Sequence, residues 1–257
     1  ENFGDTVKII KEPVVTVASY TRGSTINTQD LQDDQITLVV DQANAFAFKV
    51  DDIEERHSHV NFEAVASSSG AYALKNEYDS NVIAAMVSGA GTTVGSDGSG
   101  QDVGTYAEGT SLAGSPEVDP INIIANHAKR LNANDVPEEN RWFLADPTFY
   151  EELGKANSKL MADTTGSAKP LRGGKVYNGK IHNFDMYMTN NFAASSNSNY
   201  FKVLSGHMSS TATANHIAKI EVVRDQDSFA DVVRGLHVFG RKVLRSDALF
   251  AEHILID

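Results

Sequence analysis

Apolar and small or polar side chains alternate along residues 44–50, with Phe46, Phe48 and Val50 set against Ala45, Ala47 and Lys49. A period of two predicts a strand with one face buried and one exposed. Upstream, the β-branched runs Asp5–Ile10 and Val14–Val17 flank Lys11-Glu12-Pro13, and Gln35–Val40 is a further strand. Residues 20–24, Tyr-Thr-Arg-Gly-Ser, are a turn. Residues 5–50 therefore form a long β excursion with little core of its own. Such a hairpin is marginal when isolated and needs an external surface to lie on.

The period changes after Asp51. From 61 to 87, Phe62, Val65, Ala66, Ser69, Tyr72 and Ala73 recur at helical spacing, and Val82, Ile83 and Met86 extend the stripe. A helix of that length spans roughly 40 Å, well beyond the usual three turns, and acts as a strut. The run 88–100, rich in Gly, Ser and Thr, breaks regularity and predicts a flexible loop. Asp119-Pro120 then supplies an N-cap and a first-turn proline. The stripe Ile121, Ile124, Ala125, Ala128, Leu131 follows. Arg141–Leu144 is a strand, and Asp146-Pro147 repeats the cap device before a helix through Tyr150 and Leu153.

The stretch 161–174 is polar and Gly-rich, and Asn178-Gly179 marks a reversal before a strand at Ile181. Strands are expected over 184–188, 201–204, 216–223 and 232–242, the last broken by Gly235 and Gly240. The apolar terminus 248–256 is expected to be tied down. The alternation of helix and strand from 119 to 153 reads as a compact α/β unit, the chain as a whole reads as α+β, and there is no internal repeat at a fixed period.

Composition narrows the chemistry. The 257 residues are 41% hydrophobic, enough for a sizeable core. The formal net charge of −12 and the absence of any basic cluster argue against a dedicated nucleic-acid reader. There is no cysteine, hence no disulfide, thiolate site or Cys nucleophile. No apolar stretch is long enough to span a membrane. The chain starts at Glu1 without Met, so a preceding N-terminal segment is expected.

Candidate chemistry is weaker than its bland counterpart at each place it arises. His57 and His59 are a possible metal pair, but a third ligand beyond Glu54 and Glu55 is not in view, and a solvated turn explains them. Asp51, Asp52, Glu54 and Glu55 match no cation-loop spacing and read as a solvated acidic turn. Gly89–Gly100 follows a helix and lacks the Gly-Lys-Ser/Thr ending of a phosphate loop. Ser205-Gly206-His207 is read as a turn, since neighbours in sequence do not make a nucleophilic triad. Trp142 beside Phe143 is read as core. No residue is assigned a catalytic, cofactor-binding or metal-ligating role, and no cofactor is implied.

Taken in order, several short segments form a recognisable series. They are Gly4-Asp-Thr-Val7, Phe48-Lys-Val-Asp-Asp52, Ala71-Tyr-Ala-Leu74, Val136-Pro137 with Arg141 and Asp146-Pro147, Asn178-Gly179-Lys180-Ile181, Phe229–Gly235 and Val238–Val243. The series, from Gly4 to Leu249, resembles the major capsid proteins of tailed double-stranded DNA phages, which share the HK97-type fold. The resemblance implies an extended E-loop with its leading strand over 1–50 and a P-domain with spine helix and flexible loop over 51–118. It implies an A-domain over 119–215 and C-terminal strands over 216–257 returning to the P-domain. It departs from the pattern in carrying almost no N-terminal arm.

The implied function is a non-enzymatic subunit that assembles as pentamers and hexamers into an icosahedral head and encloses DNA without reading its sequence. The location would be the virion, after assembly in the host cytoplasm. Scaffolding, portal and decoration proteins are the implied partners, and no membrane is involved. Two alternatives stand beside it. One is an encapsulin-like nanocompartment shell; the other is a secreted β-rich adhesin module.

Overall fold

The computed structural model describes residues 6–10, 15, 17–25, 28–29, 35–51, 62–96, 98–103, 118–154, 180–195, 199–226 and 228–256. The chain divides into two compact units, the first made of 1–59 with 213–242, the second of 60–212 with 243–257.

The second unit is organised around β12 (Leu249–Leu255), in which every residue is buried. A strand buried on both faces reads as a continuous apolar run, and Leu-Phe-Ala-Glu-His-Ile-Leu nearly is one. It pairs antiparallel with β9 (Tyr200–His207), from Leu249 opposite Gly206 to Leu255 opposite Tyr200. Strand β9 pairs antiparallel with β6 (Arg141–Ala145), which runs parallel to β8 (Phe184–Met188). The short β7 (Lys180–Ile181) closes that edge, while β4 (Thr92–Val94) and β5 (Gln101–Asp102) add parallel to β12 on the other side.

Among the described residues, three α-helices belong to this unit. Helix α1 (Phe62–Ser88) has 27 residues, as the periodicity predicts. Val82 and Ile83 are buried and Met86 half-buried, but Tyr72 is 73% exposed, and Ser69 and Ala73 are exposed too. Helical spacing puts residues on one face; it does not supply a cover for that face. Helix α2 (Pro120–Ala133) starts as expected, with Asp119 Oδ1 accepting from the Ile121 amide at 3.0 Å. Helix α3 (Pro147–Gly154) does likewise, Asp146 Oδ1 accepting from the Thr148 amide at 3.0 Å. The core consists of Ile123, Ile124 and Leu131 from α2, Phe149 and Leu153 from α3, and Phe143, Phe184, Val203 and Ile254 from the sheet. Burying each such side chain contributes on the order of 1.5–3 kcal/mol.

Local expectations are corrected at three places. The run 88–100 is not without structure, since Thr92–Val94 join the sheet and the Gly91 amide donates to Ser246 O at 2.8 Å. A Cβ on Gly91 would come within 2.6 Å of that same carbonyl, so close backbone approach accounts for this glycine. Asn178-Gly179 lies outside the described residues. A reversal does occur at His182-Asn183, joining β7 to β8, with φ of 49° and 66° as a primed two-residue turn needs. Ser205-Gly206-His207 is no turn; all three sit in β9 between β6 and β12. Finally, β11 (Ala230–Val243) runs unbroken through Gly235 and Gly240.

Among its described residues, the first unit holds two small sheets. Strand β1 (Thr6–Ile10) pairs antiparallel with β2 (Gln35–Val39), Thr6 opposite Val39 and Ile10 opposite Gln35. The other sheet has the order β10 (Thr211–Arg224), β11, β3 (Gln42–Asp51), with Ala230 opposite Asp51 and Phe239 opposite Gln42. The alternation in β3 holds, with Phe46, Phe48 and Val50 half-buried and Ala45, Ala47 and Lys49 exposed. The turn at 21–24 is present, Ser24 N donating to Thr21 O at 2.9 Å with Gly23 at φ +89°.

Candidate functional site

The first unit is poor in core and rich in exposed apolar surface. Among the described residues its buried hydrophobic side chains are Leu38, Ala230, Val233 and Phe239. Against these stand Val17 at 92% exposure, Phe229 at 81% and Ile10 at 70%, with Ile220, Val222 and Leu236 also exposed. Exposed β-branched and aromatic side chains of this kind are available for association where they lie side by side.

One face of the β10–β11–β3 sheet is defined in detail. Its β3 side presents Ala45 and Ala47, opposite Leu236 and Arg234 of β11. Together with Lys219, Glu221, Phe46 and Gly235 they line an open groove of about 510 Å³. Glu221 Oε2 lies 2.6 Å from Lys219 Nζ, and Glu221 Oε1 accepts from Arg234. These bonds, Lys219 first and then Arg234, hold the Glu221 carboxyl below its usual range. The cluster is solvent-exposed, so it contributes direction and registry more than stability. Nearby, Lys49 Nζ meets Asp225 Oδ2 at 2.6 Å.

A different polar cluster is buried in the second unit, and the sequence reading passes over it. His127 on α2 is fully buried between the Phe143 and Phe250 rings, edge-on at centroid distances of 5.1 and 4.3 Å. Its Nδ1 lies 2.7 Å from Ser205 Oγ and its Nε2 3.2 Å from Glu252 Oε2. Burial keeps the ring below its ordinary pKa and outweighs the opposing pull of the Glu252 carboxylate. The pair is thus a hydrogen bond to a neutral ring. That ring donates from Nε2 to Glu252 and accepts the Ser205 hydroxyl proton at Nδ1. The residue types match a nucleophile–base–acid set, but Ser205 and His127 have 0% exposure and no route for a substrate. The signal was available: positions 120, 124, 127 and 131 share the core face of α2.

Arg141 is also buried. Its Nε donates to Pro137 O at 2.7 Å and its Nη2 to Val136 O, pinning the turn between α2 and β6. Desolvation lowers the pKa of its guanidinium.

The remaining sequence candidates do not converge. His57, His59, Asp52, Glu54 and Glu55 lie outside the described residues, and Asp51 ends β3 opposite Ala230. His207 is only half-buried, its Nδ1 2.8 Å from Ser209 Oγ. Trp142 is half-buried opposite Gly206. Among the described residues no three His, Cys, Asp or Glu side chains come together as a metal site, and no helix is long and apolar enough to cross a membrane.

Comparison with known proteins adds a fold-wide observation. A structure from Mycobacterium phage Che8 aligns with a TM-score of 0.74 at 28% identity, covering 96% of this chain and 84% of that one. The capsid structure of cyanophage P-SCSP1u aligns at 0.73 and 18% identity, covering 99% and 84%. The mature capsid of bacteriophage PhiM1 aligns at 0.68 and 12% identity, covering 98% and 82%. No protein-family model and no curated protein matches the sequence.

Proposed function

The chain has the HK97-type fold of the major capsid proteins of tailed phages, and from that premise we propose that it is the shell-forming subunit of a phage head. It assembles with copies of itself into a closed icosahedral particle that encloses double-stranded DNA. Its role is structural, with no residue performing catalysis.

The observation that carries this reading is the contrast between the two units. The second has a continuous core. Among its described residues, the first buries few hydrophobic side chains and exposes Ile10, Val17, Ile220 and Phe229. A surface of that kind is covered when subunits repeat around closed symmetry, with permanent interfaces of on the order of 2,000 Å².

We assign residues 5–50 to the E-loop and its leading strand, α1 to the spine helix, residues 119–215 to the A-domain, and the C-terminal strands to the return into the P-domain. Pentamers and hexamers are the building blocks. Scaffolding, portal and decoration proteins are the accompanying partners. The acidic balance of the chain suits a lining that holds DNA without gripping it. A nanocompartment shell uses the same fold, but the phage capsids among the similar structures favour the phage head.

Sedimentation of the purified full chain tests the proposal. Particles sedimenting far faster than a 27.8 kDa subunit support it. A stable monomer or trimer over the micromolar range argues for the adhesin module instead.

A further inference from the structure

Helix α2 is tied to the sheet by a buried polar cluster set among apolar contacts. His127 reaches Ser205 on β9 at 2.7 Å and Glu252 on β12 at 3.2 Å. Phe143 of β6 and Phe250 of β12 close over its ring. The charged groups facing it are Glu252 from β12 and Arg130 from its own helix, whose guanidinium lies 4.6 Å over the Phe250 ring.

We propose that His127, Ser205 and Glu252 form an acid-sensitive latch that fastens α2 to the sheet and loosens when His127 takes up a proton. The neutral ring satisfies all three groups at once: Ser205 Oγ–H donates to Nδ1, and Nε2–H donates to the carboxylate. A proton arriving from solvent must land on Nδ1, the one unprotonated ring nitrogen, which already accepts from Ser205. Ser205 Oγ then has to accept from Nδ1–H, and its own buried hydroxyl hydrogen loses its acceptor. The new cation sits in a fully buried site, packed against two phenylalanine rings and near the Arg130 cation. Glu252 compensates in part, but a charge desolvated to this degree is held only by excellent geometry on every side. Opening the latch is the cheaper way to accommodate the proton. This inference concerns the second unit alone and is independent of the shell reading.

The sign follows from linkage. The closed state holds the ring neutral, while the opened state binds a proton at the ordinary value of about 6.5. The latch is therefore at full strength above that pH and weakens as pH falls below it.

Hydrogen exchange of the full chain between pH 8 and 5 tests this, with rates normalised to the intrinsic pH dependence. Amides of 121–133 are expected to open up to about tenfold more per pH unit below about 6.5, as one linked proton dictates. In His127→Gln, whose amide can both donate and accept, that added slope should vanish. If the variant fails to fold, the wild-type profile decides by comparison with amides of 80–88 in α1. A slope confined to α2 and the strands it faces supports the latch. No added slope, the same slope in His127→Gln, or one shared equally by α1 overturns it.

Discussion

Gly235 on β11 stands directly opposite Phe46 on β3, and the Phe46 ring lies over the place where a Cβ on Gly235 would be. Glycine weakens a strand by leaving its pleat unfilled, and a ring from the neighbouring strand repairs this. Gly235→Ala forces the ring off the sheet, at a cost of about 1–3 kcal/mol typical of overpacking. Urea unfolding should show the loss, with faster exchange in β3 and β11. Unchanged stability would mean that the ring is not held there.

Helix α1 carries the second prediction. Proline at Ala73 removes a backbone donor and collides with the carbonyl one turn back, costing about 3 kcal/mol. Ala73 is exposed, so no core contact is lost. Particle yield should collapse while near-ultraviolet circular dichroism shows the core around Phe143 intact. Wild-type yields would rule out a strut role for the helix.

The cap of α2 gives a smaller, cleaner effect. Asp119 accepts from the Ile121 amide and the side chain is half-buried. Asp119→Ala should cost about 1 kcal/mol and Asp119→Asn much less, because asparagine caps nearly as well. Thermal unfolding of the pair resolves the difference.

The excursion between β1 and β2 can be removed without touching either strand. Ile10 and Gln35 are already paired, so replacing residues 11–34 with a two-residue Asn-Gly turn suits the register. The expected product is a folded subunit that fails to build particles. Particles of normal size from this variant would show that the excursion is not an assembly element.

Much of the fold is legible in the residues, where the signal is local. The alternation of Phe46, Ala47 and Phe48 marks β3, and Asp119-Pro120 and Asp146-Pro147 mark two helix starts, because both depend on neighbours a few positions away. The failures are long-range. Ser205-Gly206-His207 has the composition of a turn, yet pairing with β6 and β12 on either side makes it a central strand. Gly235 looks like a break until Phe46, far off in sequence, covers it. His127 is hidden as a polar residue on an apolar stripe, and its partners lie 78 and 125 residues away. Tyr72 obeys the helical period but remains exposed, since the period is blind to what lies opposite.

The most direct measurement is electron microscopy of the purified full chain. Closed icosahedral shells, with residues 5–50 and α1 at subunit contacts, are the predicted result. Dispersed monomers or small rings at concentrations where shells should be complete would contradict a shell-forming subunit.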